Sequence, residues 1–164
     1  MSINQWRIGR IGPGKQNLIG VPGSSVVGHL YWRMLISGVF GEAGVDLFEA
    51  EFLLSGVDQT GTGTATSSSN YPGQPPALAF DNDTNTRWNS DFTNSWPQWL
   101  GYTFLSPVNI DAVSVTVAIS TQRAPANISV QYSDDGSVWT ESWNVSTGVV
   151  GDWTLGVRRQ FDKP

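Results

Sequence analysis

Bulky apolar residues in this chain come in short runs separated by Gly, Pro, Ser, Thr, Asn and Asp, and none holds a 3.6-residue period long enough for a useful amphipathic helix. The run HLYWRMLISG (29–38) is rich in strand formers, and a turn at 41–44 separates it from VDLFEAEFLLSG (45–56). In the second run Leu47, Ala50 and Phe52 do not alternate cleanly. That predicts a strand bulged near Glu49-Ala50, since Gly44 and Gly56 bracket too short a stretch for a helix. PQWLGYTFLSPVNI (97–110) sets Trp99, Gly101 and Thr103 against Leu100, Tyr102 and Phe104, a strand ending at Ser-Pro. DAVSVTVAIS (111–120) aligns Val113, Val115, Val117 and Ile119 on one face and is the clearest strand. NISVQYSDDGSVWTESW (127–143) reads as a hairpin: Ile128, Val130 and Tyr132 share a face, Asp134-Asp135-Gly136 turn, and Val138-Trp139 resume. DWTLGVRRQF (152–161) supplies a last strand. The polar tract 57–76 holds one short strand at 64–67, and 77–80 makes a single helical turn. Such a list predicts an antiparallel β-sandwich or open barrel over 29–164, with Trp32, Trp88, Trp99 and Trp139 in its core. Residues 1–28, Gly-rich and irregular, read as an N-terminal arm or extension.

Composition narrows the classes. With 39% hydrophobic and only 14% charged residues, the 164-residue chain has apolar bulk for one core and too little charge for a disordered tail. A net charge of −5 argues against nucleic acid or an anionic membrane as partner, because both are reached through basic patches. Cysteine is absent, which removes disulfides, thiolate metal sites and a thiol nucleophile. The opening MSINQWRIGRIGPG lacks the apolar core of a secretory signal, and no run reaches transmembrane length. A role outside a cell would then need another route, such as particle assembly followed by lysis. Catalysis is not expected: His29 is the only histidine, no G-x-S-x-G occurs, and nothing sets two carboxylates across a cleft.

The segments SSSNY, ALAFDNDTNTRWNS, PQWLGYTFLSPVNIDAVSVTV and NISVQYSDDGSVWT, in that order, resemble the discoidin (coagulation-factor C-type) family from about residue 64 to 161. The resemblance implies a galactose-binding-like β-sandwich jelly roll, a fold shared with many carbohydrate-binding modules. Family members end on an aromatic-Arg-hydrophobic strand followed by an Ala-Glu-hydrophobic strand. Here that pair, YWRMLISG and LFEAEFLL, precedes the rest, so the resemblance implies a circular permutation in which 29–56 supply the family's C-terminal strands. Permuted discoidin-like segments with such YWR strands resemble parts of bacteriophage tail and virion proteins. The implied setting is a phage particle assembled in a bacterial cytoplasm.

In this family the loop equivalent to DNDTNT wraps a structural Ca²⁺, which takes six to eight oxygens. Carried over, the resemblance implies Asp81, Thr86 and Glu51 through side chains, and Leu78, Asp83, Thr86 and Ala50 through carbonyls. The competing reading is a plain hydrogen-bonded turn in which Asp and Asn make Asx-turns. The family's binding surface lies on loops at one end of the sandwich. There the chain offers Tyr71, Phe92 and Trp96 as platforms for a sugar ring, and Asn89, Asp91, Asn94 and Arg123 for its hydroxyls. These aromatics can equally cover the open end of the sandwich or an oligomer contact. The leading expectation is a non-enzymatic virion or tail protein that binds host-surface glycans. Its rival is a decoration or tail protein, homo-oligomeric, that uses the fold for contacts with other virion proteins.

Overall fold

The structure, a computed structural model, describes residues 28–93 and 95–164, so the expected arm (Gly28 apart) and Asn94 lie outside the described residues. Ten strands follow in order: β1 His29–Ile36, β2 Asp46–Leu54, β3 Val57–Asp58, β4 Thr64–Ser67, β5 Trp88–Asn89, β6 Gln98–Val108, β7 Ala112–Val117, β8 Asn127–Ser133, β9 Thr140–Ser146 and β10 Arg158–Asp162. They form two antiparallel sheets, one ordered β4-β6-β1-β8-β9 and the other β10-β7-β2-β3, with β5 also paired to β2. This is the predicted all-β sandwich. The only helices among the described residues are three short 3₁₀ turns, one of them Pro76–Ala79 where a single turn was predicted.

Each N-terminal strand is central to its sheet. β1 lies between β6 and β8, pairing Arg33 with Gly101 on one side and with Gln131 on the other. Its inward residues Trp32, Met34 and Ile36 are buried against Leu100, Tyr102, Ile128 and Val130. In β2 the pairing with β7 skips between Leu47 and Glu49, making Phe48 the extra residue of a bulge, one place earlier than predicted. The bulge resets the parity. Leu47, Ala50 and Phe52 are all buried in the core cluster, while Glu49 and Glu51 are only half-buried.

Several expectations are corrected. β6 does not stop at Ser-Pro: it runs on to Val108, and the register shifts between His29 and Tyr31 to accommodate it. Strand β7, paired with β10 on one edge and β2 on the other, is buried along its whole length, yet Ile119 beyond its end is 48% exposed. Strand β9 begins at Thr140 rather than Val138, which is exposed. Trp32 and Trp88 are core residues as read, but Trp99 and Trp139 are half-buried on the outer face of the first sheet, and Trp143 and Trp153 take core places instead. In β6 the inward face is Gln98, Leu100, Tyr102 and Phe104, which puts Trp99 on the opposite side.

Candidate functional site

Two regions carry the chemistry: the 78–86 loop, and the end of the sandwich where the 41–44, 68–74, 90–97 and 120–125 loops gather.

β2 pairs with β5 only at Asp46 and Leu47, and with β3 only at Leu53 and Leu54. Between these pairings its edge has no strand partner, and the Pro76–Ala79 turn packs there. The following loop folds on itself. Asp81 Oδ1 accepts from the Asp83 amide at 3.0 Å, and Asp83 Oδ1 accepts from the Asn85 amide at 2.9 Å, both Asx-turns. These Asn85 contacts, amide first, hold the exposed Asp83 carboxyl below its ordinary pKa. Thr86 Oγ1 lies 2.7 Å from Asp81 Oδ2, 3.0 Å from the Asp83 carbonyl and 3.3 Å from the Leu78 carbonyl. A hydroxyl has one hydrogen to donate, so these acceptors outnumber what Thr86 can satisfy.

The acid that faces this loop is Glu49. Burial first, and Asp81 second, push its carboxyl up to about 7, against the pull of the Asn82 and Asp83 amides. Its Oε1 is buried without a hydrogen-bond partner. Glu51, the acid the resemblance implied, is committed elsewhere: Oε2 accepts from Arg158 Nε at 2.6 Å and from the Ser114 hydroxyl. The physical reason is that β10 pairs with β7 next to β2, bringing Arg158 opposite Thr116 and within reach of Glu51. Ala50 sits in the ladder opposite Val115, on the same stretch of β2. No group of three or more His, Cys, Asp or Glu side chains suited to a metal exists among the described residues. The loop instead gathers the Asp81 and Glu49 carboxylates, the Thr86 hydroxyl and the Leu78 and Asp83 carbonyls. Those are the hard oxygen ligands that Ca²⁺ takes, so the residues present fit such an ion.

At the loop end, Gln98 and Ser69 fix the frame. The buried Gln98 side chain accepts from the Ser68 and Ser69 hydroxyls at 2.6 and 2.7 Å and donates to the Ser95 carbonyl at 2.8 Å. The Ser69 carbonyl accepts from Trp88 Nε1 at 3.1 Å, and its hydroxyl accepts from the Asp91 amide at 3.0 Å. Gln98 thus ties two loops to the sheet. Gln98 shares its inward parity with Leu100, a signal present in the alternation of 98–104.

Tyr71 and Trp96 are 43% and 38% exposed, and Tyr71 packs against Phe92 with ring centroids 5.4 Å apart. Arg123 also lies over Phe92, its Cζ 4.6 Å from the ring centroid, while Nε bonds Glu42 at 2.8 Å and Nη1 lies 3.5 Å from Asp46. Contacts with Ser120 and then Arg123 lower the Glu42 pKa. The four residues expected to meet sugar hydroxyls are Asn89, Asp91, Asn94 and Arg123. Asn89 is not free to do so: it is 2% exposed, and its amide donates to Asp46. Arg123 is held by the two acids. Asp91 spends Oδ1 on the amide and hydroxyl of Thr93, in that order of effect, which lowers its pKa. Asn94 lies outside the described residues. Of the expected aromatics Tyr71 and Phe92 are in contact and Trp96 is half-exposed, while the expected polar residues among those described are largely turned to holding the loops.

Gly44 sets the height of this surface. Its φ is +79°, and a Cβ there would stand 2.5 Å from the Phe92 ring. Gly44→Ala is expected to destabilise by about 1–2 kcal/mol from the left-handed backbone alone, to displace Phe92, and to alter near-ultraviolet circular dichroism. An unchanged melting temperature and spectrum would refute this packing.

The sequence model of the F5/8 type C domain family matches residues 64–164. Neither curated proteins nor solved structures gave any match.

Proposed function

The chain belongs to the F5/8 type C domain family, and from that premise we propose that it is a non-catalytic binding module that takes glycans at the aromatic loop end of its sandwich. The observation that carries this reading is two half-exposed aromatics, Tyr71, which Phe92 braces, and Trp96, on loops that Gln98 locks to the sheet. Rigid aromatic planes suit the apolar face of a sugar ring, and the exposed Asn70 beside Tyr71 is a polar neighbour for its hydroxyls. The same reading assigns a structural Ca²⁺ to Asp81, Thr86 and Glu49 with the Leu78 and Asp83 carbonyls. Bound there, the ion would neutralise these acceptors and hold the loop.

β1 and β2 are central to both sheets yet lie before the matched residues 64–164, which supports the permuted order of strands. For the setting, a phage particle, the support is the resemblance of the YWR arrangement. Glycan-array screening followed by titration tests the binding site. Trp96→Ala is expected to weaken glycan binding about tenfold or more while changing stability by no more than about 0.5 kcal/mol, since it removes a partly solvated ring. Undiminished binding by both Trp96→Ala and Tyr71→Ala would refute the site.

One observation favours the rival reading, contact with other proteins or copies of itself. Gly156 donates to the Val117 carbonyl at 3.0 Å, which gathers Leu155, Val157 and Ile119, each close to half-exposed, beside the end of β7.

A further inference from the structure

A cavity of about 420 Å³ lies at the end of the sandwich opposite the aromatic loops. β1 shows the placement: it runs from His29, which lines the cavity, to Ile36, which pairs with Gln98 at the loop end. The volume falls within the range of about 300–1,000 Å³ usual for small-molecule sites. Both sheets contribute to the lining. Trp32, Tyr132 and Ser142 come from β1, β8 and β9 of the first, and Leu54 from β2 of the second, with Ile110 in the turn between β6 and β7.

The aromatic part of this lining is held in place. Trp32 Nε1 donates to the Val108 carbonyl at 3.2 Å, and Tyr132 packs on Trp32 with ring centroids 5.6 Å apart. His29 stacks on Tyr132 at 3.7 Å, the two rings inclined by 18°. Its Nδ1 lies 2.8 Å from Asp134 Oδ1, which sets the plane of the imidazole. Leu54 and Ile110 add aliphatic carbon to the same space.

Lys163 brings a cation to the cavity. Its amide donates to the Asp111 carbonyl at 2.7 Å, which fixes the backbone at the rim. Nζ donates to the Ser142 hydroxyl at 3.1 Å, and an ammonium has three hydrogens to give. Lys163 makes no ion pair among the described residues. The acid that shares the lining, Asp111, bonds elsewhere: its two carboxylate oxygens lie 3.0 and 2.9 Å from the amide of Ser55, a residue outside the lining.

We infer that this cavity binds a small carboxylic acid with a flat apolar body, such as an aryl acid. Lys163 Nζ would receive the carboxylate, and the aromatic rings with Leu54 and Ile110 would take the body. A sugar suits the lining less well. Hydroxyls project all round a sugar ring, and those set against Leu54 and Ile110 would lose water without gaining a partner. A small inorganic anion would leave the apolar lining unfilled. The inference goes beyond the glycan reading and uses a different surface, so either can fail without the other.

The test is a titration of the ¹⁵N-labelled full chain with cinnamate, following the indole N–H signals of Trp32 and Trp96 and the backbone amides of Leu54 and Lys163. Cinnamamide serves as a neutral control of nearly equal shape, and acetate as a carboxylate without the body. The Trp32, Leu54 and Lys163 signals are expected to move with cinnamate. Affinity is expected to be about fivefold or more weaker for cinnamamide, and to fall likewise for cinnamate in Lys163→Gln. Leu54→Trp, at a partly exposed position of the lining, should fill the cavity and abolish binding. Melting curves confirm that both variants are folded. Trp96→Ala should leave cinnamate binding intact. The inference is overturned if the three signals stay still, if cinnamamide binds as tightly as cinnamate, or if acetate moves the signals as strongly. Normal binding by folded Lys163→Gln or folded Leu54→Trp would also overturn it. Movement of Trp96 alone would end it and leave the loop-end reading standing.

Discussion

Asp46→Ala is expected to cost the fold about 3–5 kcal/mol, the penalty for removing a fully buried carboxylate from between the partly buried Arg87 and Arg123. Asp46 is fully buried at the first position of β2. Arg87 Nε lies 3.3 Å from Oδ1, and Arg123 Nη1 and Asn89 Nδ2 lie 3.5 and 3.3 Å from Oδ2. These groups come from β2, from the residue before β5 and from the 121–123 turn, so one carboxylate joins three segments of the loop end. Burial pushes the Asp46 carboxyl above its ordinary pKa, outweighing the pull of Arg87 and then Arg123. Desolvation is thus the larger effect on the charge, and Asp46→Asn, which keeps the shape, is expected to lose clearly less than Asp46→Ala. Urea unfolding of the three proteins measures the difference. A loss below about 1 kcal/mol for Asp46→Ala would mean that Asp46 holds nothing together.

The second large effect concerns Glu49. Adding Ca²⁺ to EDTA-treated protein is expected to raise stability by about 4 kcal/mol at a thousandfold excess over Kd. Glu49→Gln should abolish that rise. In EDTA the same variant should be more stable than the parent at pH 8, since it removes a carboxylate whose Oε1 is buried and unpartnered. Glu51→Gln should do the reverse, losing stability with or without Ca²⁺ through its bond to Arg158 while keeping the Ca²⁺ response. A Ca²⁺ response lost in Glu51→Gln and kept in Glu49→Gln would reverse the assignment.

The pH dependence has a definite sign. The Glu49 carboxyl, raised from 4.5 to about 7, holds its proton more tightly in the folded chain than in the unfolded one. Without metal its favourable contribution is therefore complete below pH 4.5 and is lost as the pH rises through 7. An ion needs the ionised carboxylate, so Ca²⁺ affinity should weaken as the pH drops below 7. Melting curves at pH 6 and pH 8, with and without Ca²⁺, should show the two trends running in opposite directions.

What the chain reveals alone is what depends on local pattern. Alternation in 98–104 and 112–117, turn residues at 134–136 and the lone helical turn before the DNDTNT loop each follow from side chains a few positions apart, and each element formed there. The F5/8 type C family was likewise legible, because its motifs are contiguous. The partners of charged groups were not. Glu49 and Glu51 share a face of one strand, and nothing local distinguishes the acid that meets Arg158 from the acid that meets the loop. The Phe48 bulge and the β10 register make that choice. Asn89 and Arg123 looked like free polar groups until β5 and the 121–123 turn brought both to Asp46. Trp99 looked like core, and the inward parity of Gln98 turned it outward to face Arg33 and, across it, Trp139. The sequence by itself determined the longer strands, though not the two-residue β3 and β5, and which loop is rich in oxygen. Only the tertiary structure decided which charges meet, because strand pairing joins residues that lie far apart in the chain.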